Sequence, residues 1–389
     1  MGRRVMLVAN SDWYLFNFRR SLAETLRARG CQVVLVSPAG RYVERLEGLG
    51  FRWVELDLAP RGTNPFVEFS TLVRFLRLFA KERPHLVHLH TIKCVLYGSI
   101  AARVLGPIAV AASVTGLGHA FVDRERERLQ AFVRRLYRYA FGHDRLRVIF
   151  QNEEDRERLV SLGDVAPALT TIIRGSGVNL TQFSPGPSRE GSPVRFLFAS
   201  RMLKEKGVVE LAQAASRLVA DGLPVEFVFA GAHEPGSPSA LTKEELASLR
   251  AQPNVRWLGH VENMRELLAG ADVVVLPSHG EGTPRILLEA ASMEKPIVAS
   301  DVPGCRGPVE HEVNGLLVPP RDVDALEAAL RRLAGDSALR ATMGVAGRRI
   351  VAGRFAESTV IARTLEVYEA LGCRIPDLSP VVKLEASVR

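Results

Sequence analysis

Residues 271–293 read ADVVVLPSHGEGTPRILLEAASM, and the change of periodicity inside this stretch decides the fold. ADVVVLPS is a short β-branched apolar run, the pattern of a strand buried on both faces of a parallel sheet. RILLEAASM carries its apolar residues at helical spacing. The join is a strand–loop–helix turn, with Thr283 expected as N-cap and Pro284 at the first helical position, where a missing N–H costs nothing. In open α/β sheets ligands bind beyond the carboxyl ends of the strands. Glu281 is then expected in the loop at that mouth and Glu289 about a turn and a half into the helix. Between them a helix N-terminus offers free N–H groups and a positive dipole end to an anion.

The same pattern recurs along the chain. RVMLVANS, CQVVLVSP, HLVHLHT, IAVAASVTG and LRVIFQN in the first half are followed by helix-period segments, as are VRFLFASR, VEFVFAGA, NVRWLGH, ADVVVLPS, PIVASD and GLLVPP in the second. Strands alternating with helices imply βαβ units, and two such series imply two doubly wound α/β domains. Between the series, GVNLTQFSPGPSREGSPV crowds prolines, glycines and serines and reads as an interdomain linker. A last helix is expected over about 355–371.

A length of 389 residues exceeds what one core usually serves, in agreement with two domains. The formal charge of +8 is unevenly spread: residues 1–190 hold 28 basic and 18 acidic residues, and the rest 23 and 25. The excess positive charge sits in the N-terminal half, which is expected to meet an anionic partner. Four scattered cysteines, with no CxxC, argue against a zinc site or a disulfide framework and suit reduced thiols in the cytosol. The apolar run Val5–Ala9 is too short for a signal peptide, and the uncharged window 104–122 is broken by glycines and a proline. RDVDALEAAL contains a D-x-D, but it follows VPP and opens a helix, so Asp322 is expected as an N-cap and no metal is expected.

An anion at the helix start calls for side-chain cations, and FLFASRMLKEKGVVEL supplies Arg201, Lys204 and Lys206 after the second domain's first strand. Acids on either side of a diphosphate pocket, one placed to reach sugar hydroxyls, describe a nucleotide-sugar site. EGTPRILLE and SRMLKEKG resemble the E-x7-E motif and the Arg…Lys diphosphate clamp of retaining glycosyltransferases of the GT-B fold. WLGHV, ADVVVLPS, PIVASDVPG and NGLLVPP follow in that family's order, so the resemblance covers residues 175–335. HTIKCVLYGSIAARVLG, VTGLGHAF and DVPGCR resemble the subgroup that extends undecaprenyl-diphosphate-linked sugars, such as the N-acetylgalactosaminyltransferases acting on diacetylbacillosamine-diphosphate-undecaprenol.

The resemblance implies two Rossmann-like domains facing a central cleft: residues 1–178 binding acceptor, 179–354 binding nucleotide sugar, and 355–389 returning to the first domain. It implies a metal-independent hexosyltransferase that uses no cofactor and moves a HexNAc or hexose from a UDP-sugar to a lipid-diphosphate-linked saccharide, with an α linkage. Arg201 and Lys206 would neutralise the donor diphosphate, Glu289 would receive the ribose hydroxyls, and Glu281 would hold the transferred sugar. Gly282, Thr283, Pro284 and Arg285 join that donor loop, while Gly259, His260 and Val261 would wall the uracil. On the acceptor side the expected residues are Asn17, Arg19, Lys93, Gly116, Gly118 and His119, the last also as a catalytic candidate. The first loop, NSDWYLFNFRRSL, departs from the family in lacking paired glycines.

His88 and His90 share one strand face at metal-ligand spacing; with no further ligand nearby, a strand end with one histidine facing the cleft is expected. The basic stretch from Arg124 to Phe141 has two readings: contact with an anionic membrane surface, or an apolar stripe packed on the sheet with its arginines solvated. A lipid acceptor favours the first reading and places the protein at the inner face of the cytoplasmic membrane. Two rivals remain, a transferase with a soluble acceptor and an RNA-binding protein drawn by the basic half; the motif pair is foreign to the latter, and no nucleic acid is expected. A dehydrogenase would need a G-x-G-x-x-G that ANSDWY lacks.

Overall fold

A computed structural model describes residues 2–58, 65–116, 127–187 and 191–376. The chain divides into two compact units, one holding the residues up to Ile173 together with the chain from Ile361, the other Arg174–Val360.

Unit 1 is built on a seven-stranded parallel sheet: β1 (Arg4–Val8), β2 (Gln32–Ser37), β3 (Arg52–Glu55), β4 (Leu86–His90), β5 (Ala109–Val114), β6 (Leu146–Phe150) and β7 (Thr170–Ile172). Their order is β3-β2-β1-β4-β5-β6-β7, so the winding reverses between β1 and β4. One face of the sheet packs Val87 and Leu89 against Phe75, Phe79, Val95, Tyr137 and Phe141 from the helices Pro65–Glu82, Ile92–Leu105 and Glu127–Phe141. On β4 the alternate residue His88 meets Tyr368 of the helix Glu357–Ala370. Burial on both faces is what makes these strands read as unbroken apolar runs.

Unit 2 carries β8 (Val194–Ala199), β9 (Val225–Ala230), β10 (Val255–Trp257), β11 (Val273–Leu276), β12 (Ile297–Ser300) and β13 (Gly315–Val318), in the order β10-β9-β8-β11-β12-β13. The register β8–β11 pairs Val273 with Phe196 and Val274 with Leu197, and here too the winding reverses between the paired strands. The core around Phe196, Phe198, Phe227, Phe229, Leu287, Leu288 and Leu330 gains about 1.5–3 kcal/mol for each large apolar side chain buried.

Two local expectations are corrected. The helix after β11 is Arg285–Ser292, with Pro284, not Thr283, at the N-cap position and no side-chain cap. Pro284 keeps ψ at 118°, extended, which delays the helix by one residue. The Asp322 side chain does cap the helix Val323–Gly335, accepting from Ala325 N at 2.9 Å, and Asp324 pairs with Arg217 at 2.6 Å, so both acids of the D-x-D have protein partners. Among the described residues no cluster of His, Cys, Asp and Glu is arranged to hold a metal ion, and no helix is long and apolar enough to cross a membrane.

Candidate functional site

In unit 2 the reversal point lies between the loops that leave β8 and β11. Met202 and Leu203 are fully buried and anchor the first loop, which leaves Arg201 half exposed and brings the short 3-10 turn Lys204–Lys206 forward. Gly207 follows at φ 74°, and a Cβ there would stand 2.1 Å from the Pro277 carbonyl oxygen. Only glycine lets the two loops approach this closely.

The second loop delivers Glu281 to the first. Lys206 Nζ donates to Glu281 Oε1 at 2.7 Å, and the fully buried Ser278 hydroxyl donates to the same oxygen at 2.6 Å. One carboxylate oxygen thus takes two donors while the other keeps its lone pairs for a hydroxyl. The backbone carbonyls of Glu281 and Gly282 lie against Gly304, where a Cβ would come within 2.4 and 2.3 Å of them. The short helix Pro303–Arg306 therefore fixes this loop from behind.

Each remaining cation of the site also faces a carboxylate. Arg201 lies 3.4 Å from Glu234 and 3.9 Å from Glu205. Arg285 lies 2.7 Å from Glu289, one helical turn further on. Glu289 is buried, and that burial, partly offset by Arg285, pushes its carboxyl above the ordinary glutamate range. Lys204 is paired with Glu245 at 2.7 Å. Gly259 turns at φ 69° and its carbonyl accepts from Gly231 N at 2.7 Å, tying the loop after β10 to the loop after β9. His260 is exposed, while Val261 and Leu258 line a pocket of about 280 Å³ beside Arg256 and Leu267.

In unit 1 Arg19 ends a π-helical turn, Leu15–Arg19, and is 5% exposed, with its Nη2 donating to the Tyr14 hydroxyl at 2.8 Å. Asn17 Nδ2 is turned back to the Trp13 carbonyl at 2.9 Å. Lys93 Nζ donates to Glu68. Gly116 adopts φ 137°, a glycine conformation; Gly118 and His119 lie outside the described residues.

The expectation of one histidine facing a cleft is corrected: His88 and His90 are both fully buried. His88 bridges Tyr368 OH at 2.6 Å and Ser113 Oγ at 2.8 Å, and burial, reinforced by Arg19, holds both imidazoles neutral by lowering their pKa values. For the basic helix, the described side chains follow the second of the two readings. Among its described side chains, Val133, Leu136, Tyr137, Ala140 and Phe141 pack into the unit 1 core, and Arg134 and Arg138 grip the buried Asp164 at 2.8 and 3.2 Å. The described part of the apolar stripe is packed into the core. On the helix Pro65–Glu82, Phe66 and Phe69 are 86% and 67% exposed. Sequence reading missed Ser278 and Glu234; Ser278 had a signal, since it is the first hydroxyl after the buried run VVVLP.

The chain matches two family models, a glycosyl transferase 4-like domain over residues 17–175 and glycosyl transferases group 1 over residues 193–336. It is 25% identical over 383 residues to the N,N'-diacetylbacillosaminyl-diphospho-undecaprenol alpha-1,3-N-acetylgalactosaminyltransferase of Campylobacter jejuni, covering 94% of this chain and 98% of that one. It is 26% identical over 303 residues to the UDP-Gal:alpha-D-GlcNAc-diphosphoundecaprenol alpha-1,3-galactosyltransferase of Escherichia coli, covering 75% and 77% of the two chains. Its fold is that of Anabaena HepE, solved with UDP and glucose, at a TM-score of 0.78, 19% identity and coverage of 94% and 99%.

Proposed function

Because the chain belongs to the group 1 glycosyltransferases, we propose that it moves a hexose or N-acetylhexosamine from a UDP-sugar to a lipid-diphosphate-linked saccharide in bacterial polysaccharide or glycan assembly, forming an α linkage. The observation that carries this reading is the Lys206–Glu281–Ser278 contact at the reversal point of unit 2. It sets a cation for phosphate and a carboxylate for sugar hydroxyls side by side.

In this reading the incoming diphosphate draws Lys206 and Arg201 away from Glu281 and Glu234. Glu281, still held by Ser278, then accepts hydroxyls of the donor sugar. Glu289 accepts the ribose hydroxyls, and the main chain at Gly259–Val261 borders the base. As the glycosyl bond breaks, negative charge develops on the leaving β-phosphate, where two preplaced cations are worth more than in water. The acceptor hydroxyl attacks from the face the phosphate leaves, and the phosphate oxygen takes its proton, so configuration is retained. Arg19, Asn17, Lys93, Gly116, Gly118 and His119 serve the acceptor. Unit 1 meets the inner face of the cytoplasmic membrane, where its positive charge favours anionic headgroups.

Calorimetric titration with UDP, GDP and ADP in a chelator-treated buffer tests the donor assignment, followed by transfer assays with a UDP-sugar panel and an undecaprenyl-diphosphate saccharide. Selective UDP binding and transfer to the lipid acceptor are expected. Transfer to soluble saccharides alone would replace the lipid acceptor with the soluble one.

A further inference from the structure

The two units reverse their winding at equivalent places, between β8 and β11 in one and between β1 and β4 in the other. In parallel open sheets that reversal is where ligands are received. In unit 2 it holds the Lys206–Glu281 pair; in unit 1 it holds Arg19, on the helical segment after β1, and His90, the last residue of β4.

These two side chains are buried and under-satisfied. Arg19 is 5% exposed; among the described residues its side chain makes one hydrogen bond, to Tyr14, and its buried Nε makes none. His90 is fully buried with neither ring nitrogen bonded, although the Tyr14 ring lies 5.5 Å and the His88 ring 4.0 Å away. Buried polar groups normally have partners, and buried cations normally have a counter-charge. Arg19 has no carboxylate within ion-pair distance among the described residues.

The surrounding backbone is also unusual. Thr91, directly after His90, is β-branched yet holds φ 72° and ψ 153°, and its side chain does not cap the helix Ile92–Leu105 that follows. Strain of this kind persists where the surroundings enforce it, commonly at ligand sites. Leu15–Arg19 is π-helical, a distortion that likewise recurs at functional sites.

We propose that Arg19 and His90 form a subsite for a phosphoryl group in unit 1, with Arg19 Nε and an N–H of His90 donating to phosphoryl oxygens. The ligand class is a phosphate diester or diphosphate, and its source is the diphosphate of the lipid-linked acceptor. That last step rests on the acceptor assignment made above; the anion subsite itself does not. His88, committed to Tyr368 and Ser113, fixes the strand end that presents His90.

The test uses the full-length protein with its donor site saturated by UDP, titrated with inorganic pyrophosphate by calorimetry, alongside Arg19→Gln, Arg19→Lys and His90→Gln. Wild type is expected to bind pyrophosphate, with affinity falling at least tenfold in Arg19→Gln and less in Arg19→Lys. Melting curves separate binding from scaffolding. Without anion, Arg19→Gln melts no lower than wild type, because it removes an uncompensated buried charge, and it loses the rise in Tm that pyrophosphate gives the wild type. Unchanged pyrophosphate affinity in Arg19→Gln and His90→Gln would overturn the subsite, as would a lowered Tm in Arg19→Gln together with intact binding in Arg19→Lys and His90→Gln. Steady-state kinetics then identify the source. A tenfold rise in KM for the undecaprenyl-diphosphate saccharide, with KM for UDP-sugar unchanged, assigns the subsite to the acceptor. If pyrophosphate binding is lost while the acceptor KM stays put, the subsite stands for free phosphate and the lipid assignment falls.

Discussion

Glu281 receives Lys206 and Ser278 on one oxygen, and that geometry makes its removal informative. Glu281→Gln keeps the shape but loses the charge that competes with phosphate for Lys206. Transfer is expected to fall by about 100-fold or more, as when one preorganised polar group is removed from a transition state. UDP affinity should stay level or tighten, because Lys206 no longer leaves a carboxylate to reach the diphosphate. Single-turnover rates and calorimetry on the same preparation check both halves, and weakened UDP binding would contradict the competition. Glu289 gives a pH signature. Burial holds its carboxyl above the ordinary range, so the folded chain binds that proton more tightly than the unfolded chain. Its contribution to stability is complete below the ordinary glutamate range and is lost as pH rises through the folded pKa. The Tm difference between wild type and Glu289→Gln should therefore move against the wild type as pH climbs from the ordinary glutamate range towards neutrality; a pH-independent difference would refute the raised pKa.

Elements place these residues through close backbone approaches that side-chain motifs do not reveal. Gly304 is the clearest, since a Cβ there would stand 2.3 Å from the Gly282 carbonyl oxygen and 2.4 Å from that of Glu281. Gly304→Ala must shift the loop. Turnover is expected to drop at least tenfold while UDP, proposed to be held chiefly by Arg201, Lys206 and Glu289, loses less affinity; equal losses in both would show that the loop does not move alone. All eleven strands expected from apolar runs are present, because a strand buried on both faces announces itself in sequence. The two that escaped notice are β3 and β7, sheet-edge strands written RWVE and TTI, whose half-solvated polar residues carry no such run. Glu281 and Glu289 were legible because one local stretch contains both. Lys206 against Glu281 was legible only as a shared neighbourhood, and Arg19 beside His90 not at all, since burial of a charge is a tertiary fact. The basic helix was ambiguous for the same reason: its amphipathic pattern fits a membrane and a protein core equally, and its described apolar side chains pack in the core.

At the scale of the whole molecule, charge and apolar exposure divide the labour. The first 190 residues carry a net +10, and the remainder a net −2. Under the proposed membrane contact, long-range attraction to an anionic surface would come from unit 1 and decay over about 8–10 Å at physiological salt. Charge alone would give contact that salt abolishes. Phe66 and Phe69 add a term that salt does not screen, since both stand exposed on one side of the first turn of the helix Pro65–Glu82. Arg77 and Lys81 are solvated further along this helix, about 12 and 18 Å beyond Phe69 along its axis. With vesicles rich in phosphatidylglycerol, flotation is expected at low salt and in part at high salt. Phe66→Ser combined with Phe69→Ser should remove the salt-resistant fraction while leaving the low-salt fraction and the transfer of sugar to detergent-dispersed acceptor intact. If the double variant floats like the wild type at high salt, the aromatic turn is not the membrane contact; if the wild type fails to float at low salt, the charge of unit 1 serves the acceptor alone.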